Sequence, residues 1–118
     1  MNTKRIGAWG EEQAASYLEN EGYLVICKNY SCKTGEIDLI AQDEEDTYIF
    51  VEVKTRKNEA FGTPGEAVGL QKQQKLQRTA LSFLQGRAAP MRFDVIEVLY
   101  QEDDGMKLQE LRHIKNAF

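Results

Sequence analysis

Two short stretches of strand-forming residues, joined by an acidic turn, constrain this chain more than anything else in it. Gly35-Glu36-Ile37-Asp38-Leu39-Ile40-Ala41 and Tyr48-Ile49-Phe50-Val51-Glu52-Val53-Lys54-Thr55 are rich in β-branched and apolar residues. Between them lies the turn-prone run Asp43-Glu44-Glu45-Asp46. The pattern predicts a β-hairpin. Within its strands stand Asp38, Glu52 and Lys54, charges that are expensive to bury unless paired, hydrogen-bonded or bound to a metal.

The pleat decides whether these charges meet. Side chains alternate across a strand, so Glu52 and Lys54 share a face with Phe50 and Tyr48, while Val51 and Val53 point the other way. If residue 42 pairs with 48, Asp38 lies opposite Glu52 and Glu36 opposite Lys54. Directly opposed Cβ atoms are about 4.5–5.5 Å apart, close enough for two carboxylates to share a cation. A slip of one residue would send Asp38 to the other face. In the expected register the face has an apolar end (Ile40, Phe50, Tyr48) and a charged end (Glu36, Asp38, Glu52, Lys54).

Two carboxylates suit a hard, oxygen-seeking cation such as Mg²⁺, or Mn²⁺ in its place, and the Val53 carbonyl is a third candidate ligand. A metal held there would acidify a bound water and stabilise charge on a phosphoryl oxygen. Lys54 is placed to orient that water or neutralise the phosphate. The plainer reading is a salt bridge from Glu36 or Asp38 to Lys54 on a solvated sheet edge. Spacing alone does not separate the two.

The remaining elements follow from periodicity. Residues 3–21 read as a helix stopped by Gly22, and 23–30 as a strand. On the helix, Gly7, Glu11, Ala14 and Leu18 form one stripe; Glu12 falls with Ala8, Ala15 and Glu19 on a more outward line. Residues 56–65, with Gly62, Pro64 and Gly65, read as a loop. Val68, Lys72, Leu76, Ala80 and Leu84 then mark a second helix ending near Gly86, and strands follow at 92–100 and 107–114. The order is α-β-β-β-α-β-β in a single domain, 1–118, without repeat or linker.

Composition narrows the chemistry. No apolar run reaches membrane-spanning length, and the N-terminus lacks a signal-peptide core. Cys27 and Cys32 read as free thiols, which fits the cytoplasm. A single histidine, His113, excludes two-histidine phosphodiesterases, and with two cysteines it is too little for a closed zinc site. There is no phosphate-binding Gly-rich loop. The formal charge of −4 argues against nucleic acid, but it is unevenly spread. Residues 54–92 carry eight basic and two acidic side chains. Arg56, Lys57, Lys72 and Lys75 from that segment are the candidates for phosphate contact, with weak, salt-sensitive affinity. Lys72 is equally placed to reach the metal-site carboxylates. The plainer readings are solvated loop charges for Arg56 and Lys57 and a snorkelling stem over the core for Lys72. Asp94 reads as a buried acid paired with Arg92 or a helix end, and Trp9 and Tyr17 as helix-to-sheet packing.

Asp38 with Glu52-Val53-Lys54 resembles the PD-(D/E)xK nuclease signature of the restriction-endonuclease-like fold. The two hairpin strings resemble the YraN family of small bacterial proteins over nearly the whole chain. The likeness includes Gly10-Glu11, Ala14, Tyr17, Leu18, Gly22-Tyr23, Gly62, Glu66-Ala67-Val68, Arg92-Phe93-Asp94-Val95, His113-Ile114 and Asn116-Ala117-Phe118. That family is similar in turn to archaeal Holliday-junction resolvases. The resemblance implies a three-layer α/β core, a mixed sheet flanked by helices, and a Mg²⁺-dependent endonuclease acting on branched DNA. A single site in a nuclease of this size would need two copies to cut both strands, so a homodimer is expected. Asp38, Glu52 and the Val53 backbone would hold the metal, and Lys54 would be catalytic. Such resolvases carry a first-helix glutamate eleven residues before a Gly-aromatic pair, a position that falls on Glu11 here; Glu12 is the fallback. Both glutamates also suit the early turns of any helix. The competing expectation is a binding module that keeps the nuclease fold without catalysis.

Overall fold

Asn2 starts the first helix by accepting a hydrogen bond from the Arg5 backbone N–H at 2.9 Å. Helix α1 (Thr3–Asn20) stops where Gly22 takes φ +93°, with Tyr23 N–H bonded back to the Leu18 carbonyl and Gly22 N–H to that of Glu19. The computed structural model describes residues 2–57 and 68–118. Strands β1 (Leu24–Cys32), β2 (Gly35–Gln42) and β3 (Tyr48–Lys57) follow, then helix α2 (Leu70–Leu84), and strands β4 (Met91–Glu102) and β5 (Met106–Ile114). Most of the loop expected over 56–65 lies outside the described residues, as do Gly62, Glu66 and Ala67. Its first two residues belong to β3 instead.

The strands lie in chain order, β1-β2-β3-β4-β5. Neighbours are antiparallel except β3 and β4, which run parallel because α2 carries the chain back across the sheet. One helix covers each face. Ala14, Ala15 and Leu18 of α1 pack on Leu39, Ala41, Ile49, Val51, Ile96 and Val98. On the other face Leu76, Ala80 and Leu84 of α2 pack with Ile37, Ile40, Phe50, Phe93 and Val95. Each large side chain buried this way contributes about 1.5–3 kcal/mol, so the two clusters account for a mixed sheet sandwiched between single helices.

The β2–β3 register is the expected one: Gln42 pairs with Tyr48, and the ladder runs up to Leu39 with Val51. There it stops, although β2 begins four residues earlier and β3 continues to Lys57. Strict alternation would put Ile37 on the same face as Leu39, yet Ile37 packs on the α2 side and Leu39 on the α1 side. The break falls at Asp38. The β1–β2 pairing also passes over Asp38 and Asn29, and Asn29 has a left-handed φ of +54°. The sheet therefore forks, β2 leaving β3 while β3 stays with β4.

Candidate active site

At the fork Asp38 does not face Glu52 across a regular ladder. Its Oδ2 accepts a hydrogen bond from the Val53 backbone N–H at 2.8 Å, in place of the main-chain partner that β2 no longer supplies. This corrects the direct cross-strand pairing expected of Asp38 and Glu52, while leaving the two carboxylates close enough to repel. Repulsion is visible in the protonation of Asp38, which is pushed up to about 7 by burial first and by the Glu52 charge second. The Val53 bond and the Lys72 charge pull it back, and Glu11 raises it further.

Glu11 reaches the fork because of its neighbour. A Cβ on Gly10 would lie 1.8 Å from Oγ1 of Thr55 on β3, so only glycine lets α1 ride this close to the strand. Burial raises the Glu11 carboxyl, a hydrogen bond with the Asn29 side chain counters it, and Glu52 and Glu36 raise it again. Glu12 is exposed.

Helix α2 closes the other side. Thr79 is fully buried; its hydroxyl donates to the Lys75 carbonyl at 2.8 Å and shares a 3.1 Å hydrogen bond with Thr34 in the β1–β2 turn. Lys72 and Lys75 lie on the same helix face, and with Gly35, Glu36, Asp38 and Glu52 they line a cleft of about 250 Å³. Lys72 Nζ is 2.5 Å from Glu52 Oε1. Of the readings open for Lys72, the contact with a site carboxylate is the one present: it is the counter-charge of Glu52. Lys54 stands two residues past Glu52 on the same face, beside the buried Glu97 in the β3–β4 ladder. Arg56 and Lys57 close β3 as its last residues, Lys57 exposed. A roomier cleft of about 460 Å³ lies by Tyr17, Tyr23 and the β2–β3 turn, apart from these groups.

Asn29 and Glu97 escaped the sequence reading. An asparagine inside a strand pattern was the available signal for Asn29, since asparagine tolerates a left-handed backbone. Glu97 is an acid within the apolar run of β4, and its proximity to Lys54 depends on the parallel register that only the fold supplies.

Among the described residues, no three acids, imidazoles or thiols form a ready-made ion cage. Three of the carboxylates are turned to protein donors: Asp38 to Val53, Glu52 to Lys72, Glu11 to Asn29. The donors that remain are all oxygens, which suits a hard divalent cation and no soft one.

The model of the uncharacterised protein family UPF0102 matches residues 10–98. UPF0102 proteins from Desulforamulus reducens and Caldanaerobacter subterraneus are 42% and 44% identical over 121 residues, covering 99% and 100% of this chain and 98% of each relative. One from Alkaliphilus oremlandii is 45% identical over 120 residues, covering 98% of both chains. The crystal structure of a repair endonuclease from Pyrococcus abyssi superposes on 80% of this chain and 38% of its own, at 17% identity and a TM-score of 0.44. The chain belongs to the UPF0102 family, the YraN family whose strings it resembles.

Proposed function

We propose that this protein is a metal-dependent endonuclease that hydrolyses DNA phosphodiester bonds, with branched, Holliday-junction-like DNA as its substrate class. One observation carries the reading. Acids from three separate elements, Glu11, Asp38 and Glu52, converge at a forked sheet, where the carboxyls of Asp38 and Glu11 are pushed above their ordinary range. A site that holds Asp38 near 7 is unfavourable for the fold alone and favourable for binding a cation. Mg²⁺ or Mn²⁺, when bound, supplies an acidified water and positive charge for the phosphoryl oxygen.

Asp38, Glu52 and the Val53 carbonyl are the groups that would hold the ion. Lys54, on the Glu52 face, orients the attacking water and faces the phosphate. Glu11 takes up the water's proton or completes the ion's surroundings. Arg56 and Lys57 at the end of β3, and Lys75 in the cleft, are the groups that would contact the DNA backbone. One such site cuts one strand, so two copies acting together complete a two-strand cut.

A second reading is a DNA- or protein-binding module that has kept the nuclease fold. What favours it is that Asp38, Glu52 and Glu11 each already have a protein partner. Cleavage of a labelled four-way junction, with linear duplex and flap controls, separates the two. The assay uses Mg²⁺ or Mn²⁺ at low salt, with D38A and K54A beside wild type. Cutting by wild type that disappears in both variants is the expected result. Metal binding with no cutting of any substrate leaves the binding module.

A further inference from the structure

Lys72 is in an unusual place for a lysine. It sits in the first turn of α2, which has no acidic residue to offset the helix dipole and no side-chain cap. A cation there is opposed by the positive end of the dipole. Its stem is not committed to the core either, since the side chain is 56% exposed. The ammonium nevertheless reaches over to Glu52, whose side chain is only 11% exposed. It also lowers the electrostatic cost of Asp38. The nearly buried glutamate thus takes its neutralising charge from an exposed, flexible side chain. Lys75, one turn on, lines the same cleft without an ion pair to either carboxylate.

We infer that Lys72 is a tethered counter-cation of the acidic site, bound to Glu52 where a divalent ion would otherwise sit and displaced when one binds. The inference rests on the metal-site reading above. A monovalent ammonium on a flexible stem holds the carboxylates together in the metal-free protein, and it gives way because an exposed lysine loses little on returning to water. It therefore sets how tightly metal binds. Its removal should loosen the metal-free fold and tighten metal binding, and the second effect is one that a DNA-contacting or merely structural lysine would not produce.

The test is a calorimetric Mn²⁺ titration of the full chain, comparing wild type with K72M and K75M. Both variants remove one positive charge from the cleft, but only K72M removes the ion pair. K72M should bind Mn²⁺ roughly three- to fivefold more tightly, the range expected for a pair of this exposure, and K75M should change by much less. In chelator K72M should melt lower than wild type, and saturating Mn²⁺ should raise its melting temperature by more. Unchanged or weaker Mn²⁺ binding by K72M overturns the inference. So does an equal gain in K75M, which would make the effect one of general charge. Absence of Mn²⁺ binding in all three proteins overturns both this inference and the nuclease reading. Tighter binding by K72M with no cutting of any DNA removes only the nuclease reading.

Discussion

Asp38 and Asp94 are one residue type in two environments, and the comparison shows what each is for. Asp94 is fully buried but accepts from Arg92 at 2.8 and 2.9 Å, from His113 at 2.7 Å and from the Asn116 N–H at 2.9 Å. Burial opposes its charge, but those bonds outweigh burial and hold the carboxyl below its usual range. Asp38 has one backbone donor and two acidic neighbours, and rises to about 7. An acid held this high keeps its proton in the folded state while the unfolded chain has lost it. Stability therefore falls as pH rises from about 4 to about 7. Asp38→Asn removes that dependence and keeps an oxygen for Val53. In chelator, wild type should lose on the order of 2 kcal/mol relative to D38N between pH 5 and pH 8. Thermal melts at the two pH values read this as several degrees gained by D38N at pH 8 and a smaller gain at pH 5. Parallel profiles would mean that Asp38 is an ordinary surface acid. That Asp38 was special was legible in the sequence, because an acid stood in a core-like strand. Its break from the ladder was not, because alternation assumes an unbroken pleat and the left-handed Asn29 interrupts it.

At the scale of elements, the Asp94 network is the fastening of the chain's end. His113 joins Asp94 to Tyr17 of α1 through a 3.0 Å hydrogen bond, and Arg92 reaches Tyr23 at 3.1 Å. Beyond Asn116, Ala117 N–H bonds the Phe93 carbonyl at 2.7 Å, and Phe118 stacks on Phe93 with centroids 5.2 Å apart. One carboxylate thus ties β4, β5, α1 and the tail together. Sequence reading paired Asp94 with Arg92, two residues apart and on one strand face. It had no account of the tail, because His113 and Tyr17 are 96 residues apart and meet only in the folded sheet. Asp94→Asn deprives Arg92 of its counter-charge and sets an amide N–H₂ among donors. The expected loss is about 3–5 kcal/mol in urea denaturation, as for other broken buried pairs. A loss under about 1 kcal/mol would show that the tail and β5 hold without it. The sign is opposite to that of D38N, which separates the acid that serves the fold from the acid that opposes it.

For the whole molecule, the proposed nuclease activity raises the question of how a chain of net charge −4 would meet a polyanion. The partition was legible in the sequence: residues 54–92 are basic by six charges and the rest acidic by ten. What the sequence could not tell is how many of those cations are already committed. Lys72 holds Glu52, Arg92 holds Asp94, and Arg87 bonds the Leu84 and Phe83 carbonyls at the end of α2. Lys57, Lys75 and Arg78 are exposed, and Arg56 is partly so. Three or four phosphate contacts give a log-log salt slope of about −3, shallow beside that of a strongly basic DNA binder. Binding to a four-way junction, measured by anisotropy with Ca²⁺ in place of Mg²⁺ across a potassium chloride series, should show that slope. Lys57→Ala and Lys75→Ala should each reduce it by roughly 1. A slope that neither variant alters would move the DNA off these residues. On the proposed nuclease reading, the acidic remainder would repel duplex, so that even weak contacts from the basic segment would decide where a strand can lie.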